Sequence, residues 1–136
     1  MVITKITGGL GNQLFQFAAA KSLSLDRNVP LYLDLSFFNS EENKTVQRKF
    51  YLPYFTSGFK TLSAFDSSLF ENGHHNFFSR IIKKIKFNNL EYYIEPKGGN
   101  PAFFSEIHSP VYLDGVFQDE RYFKNKENEI RQLLTM

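Results

Sequence analysis

Ten residues near the amino terminus, Thr7-Gly8-Gly9-Leu10-Gly11-Asn12-Gln13-Leu14-Phe15-Gln16, join a β-branched run to an apolar helical run through a turn that carries three glycines and two side-chain amides. Ahead of the turn, Val2, Ile3, Thr4, Ile6 and Thr7 favour an extended strand buried in a sheet. Behind it, Leu14, Phe15, Ala18, Ala19, Lys21, Ser22 and Leu25 recur at three- and four-residue steps, so a helix is expected from about Asn12. A helix that starts at Gly8, Gly9 and Gly11 presents unpaired N–H groups and the positive end of its dipole to any oxygen-rich ligand. Asn12 and Gln13 add directional donors and acceptors, which makes this turn the candidate binding site.

Two other readings fit the same turn. Glycines between strand and helix also serve close packing of the helix on the sheet. Gly9-Leu10-Gly11 begins a dinucleotide fingerprint, with Asp34 about twenty residues on as a ribose acid, but Leu14 stands where the third glycine belongs. In that reading the chain is a self-contained nucleotide-binding domain that uses Gly9, Gly11 and Asp34.

The block Gly8-Gly9-Leu10-Gly11-Asn12-Gln13-Leu14-Phe15-Gln16-Phe17-Ala18 closely resembles the amino-terminal signature of the α-1,2-fucosyltransferases of glycosyltransferase family 11. Further along, Leu31 to Ser36, Tyr92 to Glu95 and Val111 to Phe123 resemble that family's second strand, middle segment and YLDGYFQSEKYF block, in the same order. The resemblance implies an α/β fold, a Rossmann-like parallel sheet flanked by helices, forming the amino-terminal domain of a two-domain GT-B-like enzyme. It implies transfer of L-fucose from GDP-β-L-fucose to the 2-hydroxyl of a terminal galactose of a glycan, with inversion. Gly8, Gly9, Gly11, Asn12 and Gln13 would border the donor, with Asp114 and Gln118 as further candidates. The family's His-x-Arg-x-Gly-Asp segment, whose arginine faces the donor diphosphate, does not occur in this sequence. Residues 1–136 are therefore expected to be the amino-terminal domain of an incomplete enzyme that lacks its carboxyl-terminal donor-binding domain and is inactive alone. A non-catalytic fragment or interaction module is the remaining alternative.

Length agrees, since 136 residues suit one domain and the implied pair needs roughly twice that. Sixteen Phe and seven Tyr are expected chiefly in the core, with a sugar-lined cleft or a covered surface as other uses. There is no cysteine, hence no disulfide and no thiolate metal site. No Asp-x-Asp occurs and the resemblance implies no metal or other cofactor. The paired His74 and His75 lack a third ligand, and solvated loop residues are expected there.

Elsewhere the reading is coarser. Residues 37–60 are expected to be irregular, with Pro53 breaking an aromatic stretch from Phe50 to Phe55. Ser63 is expected to cap a short helix through Leu69, and Lys97 to Pro101 to form a loop. Val111 to Asp114 reads as a third core strand. Asp119 is expected to cap a last helix with Tyr122, Phe123, Ile130, Leu133 and Leu134 on one side. Asp114, at a strand's carboxyl end, is read as a general base or a turn acceptor.

Arg80, Lys83, Lys84 and Lys86 surround Ile81, Ile82 and Ile85 in a basic amphipathic segment, read as a solvated helix face or a contact with an anionic membrane surface. Nucleic acid is not expected as a partner, because the net charge is only +2 and no recognition motif accompanies the patch. Met1 to Lys5 enters a strand without a signal-peptide apolar region, so the expected location is the cytoplasm, peripheral at the inner face of the membrane.

Overall fold

A computed structural model describes residues 1–71 and 76–134. The His74–His75 pair and Met136 lie outside the described residues. Five parallel strands form one sheet: β1 (Val2–Lys5), β2 (Leu31–Asp34), β3 (Lys60–Thr61), β4 (Glu91–Ile94) and β5 (Val111–Asp114), in the order β3-β2-β1-β5-β4. β1 is central, with Val2 beside both Leu31 and Val111. Its residues Val2, Ile3 and Thr4 are fully buried, as a strand covered on both faces requires.

The turn leads into α1 (Leu10–Arg27), which starts two residues earlier than the apolar periodicity suggests and ends at Asn28 in the left-handed region. Its buried face keeps Ala18, Ala19 and Ser22 of the predicted stripe and differs elsewhere. Gln13, Gln16, Phe17, Ala20, Ser22, Leu23 and Ser24 face inward, whereas Leu25 is exposed. The buried polar side chains are hydrogen-bonded, so they brace loops where an apolar pattern would only fill space.

The two faces of the sheet carry separate cores. On one, Phe17, Ala20 and Leu23 of α1 pack with Leu33, Leu113, Phe104, Phe117 and Tyr122. α5 (Pro101–Phe104) and α6 (Glu127–Leu133) lie on that side, Phe104 in the cluster and α6 against α1. On the other face, Ile3 and Tyr112 pack with Leu69, Phe70, Ile82 and Phe87 from the neighbourhood of α3 (Ala64–Ser68) and α4 (Phe77–Lys86). Helices thus cover both faces of a parallel sheet, the Rossmann-like architecture the resemblance implies. Of the aromatics, Phe17 and Phe117 are fully buried, while Tyr54, Phe77 and Phe78 are among those that face solvent.

Several local expectations change. The 37–60 region contains a 3-10 turn at Ser36–Asn39, α2 (Glu41–Val46), a second 3-10 turn at Leu52–Tyr54 and the start of β3. Ser63 caps α3 as expected, its Oγ accepting from Asp66 N at 3.1 Å. Asp119 caps only a 3-10 turn at Glu120–Tyr122, and the expected long last helix is broken there. Tyr122 is buried against Phe104 and Phe117 in that turn, so it takes no part in the helical stripe with Ile130.

Among the described residues no helix is long and apolar enough to cross a membrane.

Candidate functional site

The carboxyl ends of β1 and β5 lie side by side, where the strand order departs from chain order, and each leads into a tight turn. At the β1 exit, Gly8 adopts φ +73°, and a Cβ there would sit 2.5 Å from the side-chain nitrogen of Asn12. Gly9 begins α1 with no side-chain cap, so the first helical N–H groups are not satisfied by a capping residue.

Gln13 and Gln16, one helical turn apart, fix this loop from beneath. Gln16 accepts from Thr7 N at 3.0 Å and donates to Thr7 Oγ1 at 2.8 Å and to Gly115 O at 3.0 Å, which couples the two exits. Gln13 donates to Gly8 O at 3.1 Å and Lys49 O at 2.8 Å, and accepts from Tyr51 N at 2.9 Å. Its side chain is fully buried. In this structure Gln13 is a brace, its amide bonded to the protein on both sides, whereas Asn12 beside it reaches the surface.

Asn12 and Gln118 do meet. Gln118 Nε2 donates to Asn12 Oδ1 at 2.6 Å, at the exposed mouth of the two turns. Gly11 lies in the first turn of α1 with open space where a side chain would be.

The sequence reading missed Arg48. Its guanidinium reaches the Gly9 turn, with one nitrogen 3.1 Å from where a Gly9 Cβ would be. Among the described residues no carboxylate pairs with it. Its backbone is held by the buried Asn43, which accepts from Arg48 N at 2.7 Å and donates to Arg48 O at 2.9 Å, while Gln13 holds Lys49 and Tyr51 next to it. The turn thus gathers a helix N-terminus and an unpaired cation at one place, a combination suited to phosphate oxygens.

The β5 exit is shaped by Glu95 rather than by Asp114. Glu95 Oε1 accepts from Val116 N at 3.1 Å and Phe117 N at 2.9 Å, and a Cβ on Gly115 would lie 2.4 Å from the Glu95 Cβ. The turn-acceptor role expected of Asp114 therefore belongs to Glu95. The half-buried Asp114 is left facing a cleft of about 820 Å³ on the Tyr112 side of the sheet, lined also by Lys5, Asp34, Glu41, Tyr92 and Tyr112. Asp114 and Gln118 both border a second hollow of about 550 Å³ beside the Lys97–Gly99 loop.

Asp34 is not placed as a ribose acid. It is buried, with Oδ1 accepting from Ser36 N at 3.0 Å and Oδ2 from the Tyr112 hydroxyl at 2.5 Å. Both oxygens of the carboxylate have protein partners, which removes the residue the dinucleotide reading needs. Burial first, and then the charge and hydrogen bond of Asp34, hold the Tyr112 hydroxyl far above its ordinary range, so it stays a donor.

No protein-family model matches the chain, and no solved structure matches it. The chain is similar to the alpha-1,2-colitosyltransferase of Escherichia coli, with 28% identity over 137 aligned positions that take in 99% of this chain and 45% of that protein. The chain thus spans just under half the length of this curated relative, and the relative is a glycosyltransferase.

Proposed function

We propose that this chain supplies one wall of the donor cleft of a galactoside α-1,2-fucosyltransferase, which moves L-fucose from GDP-L-fucose to the 2-hydroxyl of a terminal galactose with inversion. The observation that carries this reading is the coupled turn pair, in which Asn12 and Gln118 meet beside Arg48 and the start of α1. The likeness to a glycosyltransferase named for an α-1,2 linkage supports the reaction class and the linkage.

In this reading the donor's diphosphate lies against the first turn of α1. The bond from the anomeric carbon to the phosphate oxygen breaks, and the leaving charge is balanced by the helix N-terminus and Arg48, so no metal is invoked. The acceptor hydroxyl attacks from the opposite face of the sugar and loses its proton to a carboxylate. Asp114 is the carboxylate best placed for that in this chain, since it borders both hollows and makes no side-chain hydrogen bond with a described residue. Tyr92, half exposed at the rim of the larger cleft, offers apolar ring surface to an acceptor sugar. The opposing wall, in a carboxyl-terminal domain, belongs to the proposal as well. The name of the relative favours a second reading with the same site and linkage, in which the transferred sugar is colitose.

Calorimetry on the chain with GDP-L-fucose, GDP and NAD, followed by transfer assays on the longer protein, tests both readings. GDP-L-fucose and GDP are expected to bind and NAD is not. Arg48→Gln is expected to weaken GDP binding by about tenfold to a hundredfold, the worth of one charge-assisted contact. Undiminished GDP binding by Arg48→Gln would remove Arg48 from the site. Failure of the longer protein to transfer either sugar would defeat the function.

A further inference from the structure

We infer that α4 is a membrane-surface contact, seated on an anionic lipid bilayer through an exposed apolar stripe with a cationic border. The inference is independent of the donor site. The helix starts at Asn76, whose Oδ1 accepts from Ser79 N at 2.7 Å, and none of its ten residues is buried. It is held to the domain along one side only. Ile82 packs on the cluster of Leu69, Phe87 and Tyr112. The Lys83 ammonium lies 5.1 Å from the Phe70 ring centre and 4.9 Å from that of Tyr92, and Lys86 pairs with Asp66 at 2.8 Å.

With about 100° of rotation per residue, the opposite side gathers Phe77, Phe78, Ile81 and Ile85 into one stripe about 100° wide. These side chains are 79%, 69%, 40% and 75% exposed. Arg80 and Lys84 flank the stripe and have no carboxylate partner among the described residues, and the helix contains no acid. The four cations therefore divide into two that fasten the helix, Lys83 and Lys86, and two that border its apolar edge, Arg80 and Lys84.

The chemistry of the stripe selects its occupant. A stable protein interface buries roughly 800 Å² per partner, about twice what four such side chains offer. Interfacial seating needs only a few apolar side chains below the headgroups and cations level with them, which is the arrangement here. Anionic headgroups complement Arg80 and Lys84, whereas two copies of the stripe in contact would bring their cations together with no acid of α4 between them.

Co-sedimentation of the chain with vesicles of phosphatidylcholine, and of phosphatidylcholine with an equal part of phosphatidylglycerol, tests this at low and high salt. Binding is expected to the anionic vesicles and to fall with salt. Each bordering cation is worth about fivefold in partition, so Arg80→Gln with Lys84→Gln lowers binding more than tenfold, and Lys86→Gln lowers it less. Phe77→Trp is expected to shift its emission to the blue on anionic vesicles. Phe77, Arg80 and Lys84 are exposed and do not fasten the helix, so far-ultraviolet circular dichroism of their variants should be unchanged, and the comparison of lipids needs no variant. Absence of binding, equal binding to both vesicles, or a dimer dispersed by Phe77→Ser would overturn the proposal.

Discussion

Gln118 donates its side-chain N–H to the side-chain oxygen of Asn12 at 2.6 Å, joining residues 106 positions apart across the mouths of the β1 and β5 turns. This bond is exposed, so removing it should cost less than about 1 kcal/mol of stability. Its effect should appear in transfer. In a two-domain transferase of the proposed kind, Asn12→Ala is expected to lower kcat/KM about a hundredfold, comparable to losing one donor at a charge-developing site. Gln118→Ala with Asn12→Ala should be scarcely worse than Asn12→Ala alone, because the two act as a unit. Independent, multiplying losses would separate the two residues.

Gln13 should show the opposite profile. Gln13→Leu leaves Gly8 O, Lys49 O and Tyr51 N without their partner in a partly buried setting. The expected cost is about 3 kcal/mol, read as a lower urea midpoint at unchanged slope. A loss below about 1 kcal/mol would contradict the bracing role.

Tyr112 supplies a dependence on pH. Burial and the neighbouring Asp34 raise its pKa above tyrosine's ordinary 10.0. Below pH 10 both folded and unfolded chains hold the proton and its stabilising contribution is fully present. Above pH 10 only the folded chain keeps it, so this contribution falls as pH rises, by about 1.4 kcal/mol per unit. Tyr112→Phe should flatten that slope by one proton. Tyr122 and Tyr93, raised chiefly by burial, keep part of it. An unchanged slope in denaturation series above pH 10 would exclude Tyr112 as a source.

What the sequence made legible follows the physics of each element. β1, β2 and β5 are apolar runs buried on both faces, and such runs announce themselves. β3 is two exposed residues, and β4 sits at the sheet edge with Glu91, Tyr92 and Ile94 exposed, so neither carries a strong pattern. Periodicity places α1 and its buried Ala18, Ala19 and Ser22 but not the rest of the buried face, because Gln13, Gln16 and Ser24 are buried as hydrogen-bonding braces. A signal was present in Gln13 and Gln16: two amides one turn apart on the face that adjoins Phe17 and Ala20. Arg48 had none, since its place over Gly9 depends on Asn43 and Gln13 clamping a segment distant in sequence. Glu95 was likewise hidden, as its partners Val116 and Phe117 follow a different strand.

Gly8 and Gly11 separate the fold's needs from the ligand's. Gly8→Ala places a methyl group 2.5 Å from the Asn12 amide on a backbone at φ +73°, so it should cost at least about 1–2 kcal/mol and displace Asn12. Gly11 lies inside α1 with nothing within 4 Å of the position a Cβ would take. Gly11→Ala should therefore stabilise the fold by about 0.5–1 kcal/mol, since alanine loses less backbone freedom in a helix. The same methyl group would occupy the space above the first turn, where the donor's phosphate oxygens are proposed to lie. Thermal denaturation and GDP calorimetry on Gly11→Ala should move in opposite directions, a higher Tm with weaker binding. A higher Tm with unchanged binding would place the diphosphate away from Gly11.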